Sequence, residues 1–158
     1  MDELTTLDRA IRLQRVELFS DLETELLALI ASIAERVRLD EGEALIEEGG
    51  SLDAIYVVLE GRVEMIRAGS VLFTVGAGET IGNWALFDRQ ASVVTARASE
   101  PSDLLRIGRD EFYDLLADNS EVTRELFQAL FKRMRALLQT GLGERAADRR
   151  PDETSSGA

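Results

Sequence analysis

Short apolar runs separated by glycines fill the middle of the chain, from about residue 37 to residue 107, and this pattern restricts the fold more than any other feature. The runs are rich in β-branched and aromatic side chains, which is typical of strands. Gly61 lies between two of them and predicts a tight hairpin, where glycine readily adopts a positive φ. Repeated short strands with such turns predict an antiparallel roll, barrel or sandwich. The runs are Ala44–Ile46, Ile55–Leu59, Val63–Ile66, Val71–Val75, Ser92–Ala96 and Leu104–Ile107.

Helical spacing of apolar residues surrounds this strand-rich middle on both sides. Residues 1–18 are predicted to form an amphipathic helix, in which Thr5 and Asp8 have the spacing of a capping box. A second helix follows from about Phe19. After Gly108 helical spacing returns, first in a short helix and then in a longer one.

The order of these elements predicts the domain organisation and the fold class. We expect an N-terminal helix (1–18), a β-roll domain with its C-terminal helices (19–139) and a polar tail (140–158) whose composition predicts disorder. The fold class is α+β: an antiparallel β-roll of the jelly-roll type, or double-stranded β-helix, flanked by N-terminal and C-terminal helices.

The chain has no cysteine and no histidine. It therefore cannot form a disulfide, a thiolate nucleophile, a cysteine-based zinc site, a Ser-His-Asp triad or an imidazole metal cluster. Carboxylate chemistry remains open, and an enzyme with a carboxylate pair is one alternative. We expect a protein that is not an enzyme and that holds no metal.

The formal net charge of −12 decides against one class of partner. Affinity for nucleic acid comes largely from Lys and Arg side chains that neutralise phosphates, and this surface is acidic. No apolar run approaches the roughly 20 residues that a membrane span needs, and the first residues lack the features of a signal peptide. We expect a cytoplasmic protein that binds neither nucleic acid nor membranes.

Four stretches of the sequence together carry a resemblance to a known family. They are Leu18–Leu22, Leu39–Gly49, Ile55–Val63 and Gly78–Gly82. In this order and at this spacing they resemble the cyclic-nucleotide-binding domain family, as in catabolite-activator-type regulators and the regulatory subunits of cyclic-AMP-dependent kinase. The resemblance extends from about Leu18 to Leu138. It implies a β-roll with a regulatory role.

The resemblance implies a ligand site at Ile81–Val93, where the family has its phosphate-binding cassette. In that family a glycine and free N–H groups of a short helix approach the phosphate, an arginine pairs with it, and a glutamate binds the ribose hydroxyl. A cyclic nucleotide is the ligand so implied, and no other cofactor is expected. The corresponding residues are Gly82, Asn83, Trp84, Ala85, Leu86, Arg89, Ala91 and Ser92.

The cassette departs from the family pattern in ways that leave alternatives open. Asn83 stands where the family has glutamate, and the loop before Arg89 is shortened and lacks the family's proline. Trp84 either stacks on a base or plugs the pocket, and Arg89 either meets a phosphate or pairs with Asp88 or Glu79 at the surface. The cassette therefore binds a cyclic nucleotide or another small anion, or it persists as a structural corner with a closed or repurposed pocket.

The final helix carries more apolar surface than one contact face requires. In the resembled family a helix at this position serves as a dimer helix or a lid. We expect it to contact a protein partner or a second copy; alternatively it packs back on the roll and the first helix. The apolar residues are Leu126, Phe127, Leu130, Phe131, Met134 and Leu137.

The leading functional hypothesis is a stand-alone regulatory module. Too few residues follow Leu138 for an appended helix-turn-helix domain. The module would sense a cyclic nucleotide or another small anion or, with a degenerate pocket, dock on a protein partner. The alternative is a structural interaction domain that binds no nucleotide and dimerises through its last helix.

Overall fold

The computed structural model of the protein describes residues 3–148. Within this range the helices are α1 (Thr6–Leu13), α2 (Thr24–Ser32), α3 (Arg109–Asp118) and α4 (Ser120–Asp148), with a short 3-10 helix at Glu17–Phe19. The strands are β1 (Glu35–Leu39), β2 (Ala44–Ile46), β3 (Ala54–Glu60), β4 (Val63–Arg67), β5 (Ser70–Val75), β6 (Thr80–Ile81), β7 (Thr95–Ala98) and β8 (Ser102–Gly108).

The strands form two antiparallel sheets of four strands each within the described residues. Their orders are β1-β8-β3-β6 and β2-β7-β4-β5. The chain passes from one sheet to the other several times, for example from β3 to β4 and from β5 to β6. These crossings stack the two sheets as a roll and confirm the predicted α+β β-roll with helices at both ends.

Strand β3 lies at the centre of the fold and is buried on both faces. Its register with β8 pairs Ile55 with Ile107 and Val57 with Leu105, and these four side chains belong to the apolar cluster shared with the helices. Tyr56, between them in sequence, belongs to the second cluster, inside the roll. Successive side chains of a strand point to opposite faces, so this one strand connects both cores.

The helices at both ends of the sequence pack against the outer face of β3 and β8. The same cluster holds Leu13 of α1, Phe19 of the 3-10 helix, Ile30 of α2, Phe112 of α3 and Leu126 of α4. The rings of Phe19 and Phe112 lie 6.0 Å apart between centroids, within the usual range for interacting aromatic pairs. The two ends of the chain are therefore joined through one core.

The first helix is shorter than the predicted span 1–18. It starts at the predicted capping box, where the N–H of Asp8 donates to the Thr5 hydroxyl and the N–H of Thr5 donates to the Asp8 carboxylate. The hydrogen bonds from Thr5 also hold the pKa of the Asp8 carboxyl below its ordinary value. The helix ends at Leu13 because the chain then turns to bury Val16. Residues 1 and 2 lie outside the described residues.

The last helix is longer than predicted. The polar tail was expected from residue 140, but α4 continues to Asp148. Gly141 and Gly143 disfavour a helix, whereas the Glu-Arg-Ala-Ala sequence at 144–147 consists of good helix formers. The remainder of the predicted tail, 149–158, lies outside the described residues.

Gly61 forms a tight turn between β3 and β4, but the predicted hairpin is wrong: the two strands belong to different sheets and do not pair. The φ of Gly61 is +99°, in the region that side-chain-bearing residues rarely adopt. A Cβ built there would overlap the Ser102 hydroxyl and lie 2.7 Å from the Pro101 carbonyl oxygen. The Ser102 hydroxyl also accepts a hydrogen bond from the N–H of Arg62. Ser102 therefore stabilises the turn, and it cannot move away from a Cβ at position 61 without weakening this bond.

We predict that Gly61→Ala is much more destabilising than Gly69→Ala. Gly69 also has a positive φ of +80°, but a Cβ there would meet nothing within 4 Å. Its substitution should cost about 1–2 kcal/mol of left-handed strain, and Gly61→Ala should cost about 1–3 kcal/mol more because of the overlap. Urea unfolding of the two variants measures the difference. Equal losses would show that the contact with Ser102 relaxes without cost.

Candidate ligand-binding site

A cavity of about 550 Å³ opens beside the cassette, between the two sheets. This volume is within the range of small-molecule pockets. Most of the surrounding side chains are apolar, and several polar groups of the cassette join them. The lining residues are Ile46, Leu52, Met65, Phe73, Thr80, Ile81, Gly82, Asn83, Trp84, Ala85, Asp88, Gln90, Ala91, Ser92, Val93 and Val94.

A compact turn follows β6 and forms one wall of the cavity. The N–H of Ala85 donates to the Gly82 carbonyl at 2.9 Å, and the N–H of Asp88 donates to the Trp84 carbonyl at 2.8 Å. Gly82 has a φ of +79°, and a Cβ there would lie 2.9 Å from the Ala54 carbonyl oxygen. Glycine is therefore required at this position by the close approach of β3, whatever ligand the cavity takes.

Most of the predicted cassette residues meet at this cavity, but two do not. Gly82, Asn83, Trp84, Ala85, Ala91 and Ser92 line it. Leu86 is fully buried in the helix-facing core, because the turn directs its side chain inward. Arg89 is exposed and is absent from the cavity wall. The structure therefore corrects the prediction for Leu86 and gives Arg89 no place in the wall.

Arg89 also lacks the surface partners that we considered for it. The Asp88 carboxylate accepts a hydrogen bond from the N–H of Gln90, and the Glu79 carboxylate accepts one from the N–H of Gly76. Within residues 3–148, Arg89 has no hydrogen bond or ion pair. Its guanidinium is exposed to solvent on the loop that borders the cavity.

The polar groups of the wall are arranged around Asn83 and Ser92. The Thr80 hydroxyl donates to the Asn83 side-chain oxygen at 2.6 Å. Ser92 is held in place by backbone bonds to Gly49 and Gly50, and its hydroxyl donates to the Val94 carbonyl at 2.7 Å. The Asn83 oxygen retains one lone pair, and its amide hydrogens have no protein acceptor among the described residues, so Asn83 can both donate to and accept from a ligand.

Trp84 lines the cavity without filling it. Its side chain is 77% exposed. Of the two alternatives drawn from the sequence, the structure therefore rules out the plug. Phe73 of β5 lines the same cavity and is also largely exposed, so two exposed aromatic residues border it.

The charge of the wall is negative. Asp88 is the charged side chain among the lining residues, and no arginine or lysine occurs in this set. The arrangement therefore combines apolar surface, hydrogen-bonding amide and hydroxyl groups, and one carboxylate.

Arg109, which the sequence analysis missed, holds the cassette turn from below. It is buried, and its guanidinium donates to the carbonyls of Ala85, Leu52 and Asp88. One α-helical turn later, the Tyr113 hydroxyl donates to the Leu86 carbonyl at 2.7 Å. We call this pair on α3 the latch. It satisfies carbonyls that the short cassette turn leaves without partners.

One weak sequence signal for the latch exists. Arg109 is the first residue of α3, and a cation at a helix N-terminus is disfavoured by the helix dipole. The hydrogen bonds from the Arg109 guanidinium to the carbonyls of the turn offset this unfavourable interaction. From the sequence alone Arg109 cannot be distinguished from an exposed arginine, because the turn that it contacts lies 21 to 24 residues earlier.

No helix within residues 3–148 has the length and apolar character that crossing a membrane would require.

Comparison with known proteins identifies similar domains. The family model described as the cyclic nucleotide-binding domain matches residues 36–119. The N-terminal domain of a transcriptional regulator from Streptomyces coelicolor A3(2) has a similar solved structure, with a TM-score of 0.72 and 32% identity; the match covers 80% of this chain and 94% of that one.

Two longer proteins match over most of this chain. A cAMP-dependent protein kinase regulatory subunit from Yarrowia lipolytica is 28% identical over 128 residues, which are 81% of this chain and 34% of that protein. A protein named lysophospholipase nte1 from Aspergillus niger is 26% identical over 134 residues, which are 82% of this chain and 9% of that protein. The chain thus spans about a third or less of these relatives.

We predict that Arg109→Met loosens the cassette turn. The substitution leaves the carbonyls of Ala85 and Leu52 without a charged donor, and hydrogen bonds to charged groups contribute about 1.5–3 kcal/mol each. The free energy of unfolding should fall by about 3 kcal/mol, and amide exchange over residues 82–90 should accelerate. Tyr113→Phe removes one neutral bond and should cost about 1 kcal/mol. If both variants lose the same stability, Arg109 does not hold the turn.

Proposed function

The chain belongs to the cyclic nucleotide-binding domain family, and from this premise we propose that it is a regulatory module whose cassette cavity binds a small molecule and whose last two helices report the bound state. The proposal includes no catalytic step. It places the protein in the cytoplasm, as expected from the sequence.

The latch is the observation that carries this proposal. Arg109 and Tyr113 join α3 to three carbonyls within the cassette turn, those of Ala85, Leu86 and Asp88. A ligand that contacts the turn changes the position or the mobility of these carbonyls. Since Asn119 alone separates α3 from α4, a shift of α3 displaces the start of α4.

The relatives support the regulatory part of the proposal. One is a regulatory subunit of a kinase and another is part of a transcriptional regulator. The family description makes a cyclic nucleotide the first ligand to test. For that ligand the phosphate would need Arg89 to swing toward the cavity, and the ribose would meet the uncharged Asn83.

We predict that a ligand of the cavity stabilises the domain and protects α4. The panel should contain cyclic AMP, cyclic GMP, cyclic dinucleotides, adenosine and uncharged aromatic compounds. A ligand at 100 times its Kd adds about 2.7 kcal/mol, which raises Tm by roughly 5–10 °C for a domain of this size. Thermal unfolding measures the shift, and hydrogen exchange measures protection of the first turns of α4.

Tyr113→Phe is the matched control for the coupling. It leaves the cavity wall unchanged, so binding should persist while protection of α4 decreases. The regulatory role would be contradicted if no compound of the panel raised Tm. It would also be contradicted if a compound bound without changing hydrogen exchange in α4.

A second candidate function, dimerisation through α4, is favoured by an exposed apolar stripe. Phe127, Phe131, Met134 and Leu138 are each at least half exposed and follow one another at intervals of four, three and four residues. This is the spacing of a coiled-coil seam. We call these four residues the α4 stripe. Leu137, beside it, is exposed as well.

The opposite side of α4 faces its own domain. Leu126, which we predicted as a partner contact, is only 3% exposed and belongs to the core, and Leu130 packs against that core. Leu126 is therefore too buried for the predicted partner contact, whereas Leu130, which is half-buried, remains a predicted contact.

An acidic group adjoins the first turns of α4. Partial burial, together with the carboxylates of Glu23, Glu121 and Glu25, raises the pKa of Glu125. Repulsion disfavours contact between two copies through that side. A dimer would therefore use the α4 stripe.

We predict that Phe131→Glu abolishes a dimer that the wild-type chain forms, whereas Gln139→Glu does not. Both substitutions add one negative charge to an exposed position of α4, but only the first lies in the stripe. Sedimentation velocity at micromolar concentration distinguishes the two species. A wild-type chain that sediments as a monomer, or equal behaviour of the two variants, would exclude this interface.

A further inference from the structure

The cavity wall has the wrong charge for the anion that its family name suggests. Asp88 lines the cavity, and none of the described residues in its wall is cationic. The chain as a whole carries a formal net charge of −12, and an excess of one sign of charge repels ligands of that sign. An anion that enters this cavity loses hydration. The wall offers it a carboxylate of the same sign and no opposite charge to compensate for that loss.

The arginines nearby in the fold are engaged or turned elsewhere. Arg109 lies beneath the turn, but its donors are directed at backbone carbonyls. Arg97, on β7, lies 3.5 Å from the Glu47 carboxylate. Arg89 is exposed on the loop and is not part of the wall. Among the residues that line the cavity in the described part of the chain, none supplies a guanidinium.

The remaining lining favours an apolar molecule. Ile46, Leu52, Met65 and Val94 contribute apolar side chains to the lining, and Trp84 in the wall is largely exposed. Asn83 offers free amide hydrogens and a free lone pair. Such a set binds an apolar body by desolvation and orients it with a few polar contacts.

We infer that the cavity takes a predominantly apolar organic molecule that carries no negative charge. The inference rests on the proposed function and names the class of its ligand. The molecule stacks on Trp84 and Phe73 and hydrogen-bonds to Asn83. It is either uncharged or cationic. A positive charge on the molecule would be attracted by the Asp88 carboxylate and by the faces of the two aromatic rings.

The experiment uses the full chain and three probes built on 1-naphthylamine. N-phenyl-1-naphthylamine is uncharged, N-(1-naphthyl)ethylenediamine carries an ammonium group, and 1-anilinonaphthalene-8-sulfonate carries a sulfonate. Trp84 is the single tryptophan of the chain and lies in the cavity wall. Energy transfer from it detects a probe bound in its neighbourhood, and substitutions in β5 then test whether that place is the cavity. We expect the uncharged or the cationic probe to bind at least about tenfold more tightly than the sulfonate, a difference of about 1.4 kcal/mol.

Two neighbouring residues of β5 locate the bound probe. Phe73 lines the cavity, whereas Leu72 is absent from the lining and points to the other face of the strand; their side chains are 55% and 54% exposed. Phe73→Ala should weaken the preferred probe at least about fivefold, since an aromatic contact of about 1 kcal/mol is lost. Leu72→Ala should change its affinity by less than about twofold.

Asp88→Asn isolates the charge of the wall and keeps the side-chain oxygen that accepts from Gln90. A partly exposed charge interaction contributes about 0.2–1 kcal/mol, so sulfonate affinity should rise up to about fivefold. Affinity for the uncharged probe should stay within about twofold. If the ligand class is cationic, this variant should also lose affinity for the ammonium probe. If the ligand class is uncharged, that affinity should not decrease.

Other outcomes would overturn the inference. The ligand class is wrong if the sulfonate binds as tightly as the uncharged probe, or if cyclic AMP binds more tightly than adenosine; the regulatory proposal survives either result. No transfer from Trp84 with any probe, or equal effects of Phe73→Ala and Leu72→Ala, places the probe outside the cavity and also refutes the inference. Binding at the cavity that leaves exchange in α4 unchanged refutes the regulatory proposal alone.

Discussion

The pairing of β3 with β8 is the constraint on which the rest of the structure depends. Strand β3 is buried on both faces, and the apolar residues of β8 join the same two cores, Leu105 and Ile107 one of them and Leu104 the other. Ile55 and Ile107 pack against the helices on the outer face, and Tyr56 and Leu104 pack in the core inside the roll. A slip of one residue would exchange these sets and lose both cores at once. The cassette and the latch are positioned by the ends of this pair, because β6 pairs with β3 and Arg109 directly follows β8.

Much of this architecture could be predicted from the sequence, because its signals are local. The apolar runs predict strands, and Gly61 predicts a tight turn with a positive φ. Which strands pair across that turn is not local, and the hairpin predicted there is absent because β3 and β4 enter different sheets. The capping box of Thr5 and Asp8 is local, and its hydrogen bonds form as expected. The end of α1 could not be predicted, since it depends on Val16 entering a core formed by distant segments. The helical state of residues 140–148 was missed because two glycines outweighed the helix formers after them.

The candidate site was only partly predictable, for a related reason. A motif names the residues of the turn, but the direction of each side chain depends on how the turn is anchored. Leu86 is drawn into the core and Arg89 is left on the loop, and neither outcome is visible in the spacing. The anchor itself, Arg109, contacts carbonyl oxygens, which every residue carries. No pairing of side-chain types could therefore indicate it.

The cassette pattern and the charge of the ligand are physically separable. Gly82 is required by the approach of β3 and Leu86 by the core, so these residues maintain the turn whether or not an anion binds beside it. Recognition of a phosphate needs a further element, a cation directed at the cavity. The shortened loop leaves Arg89 outside the wall while Asp88 becomes part of it. A sequence can thus retain the family's fold and a cavity beside the turn while the described residues of the wall include a carboxylate and no cation.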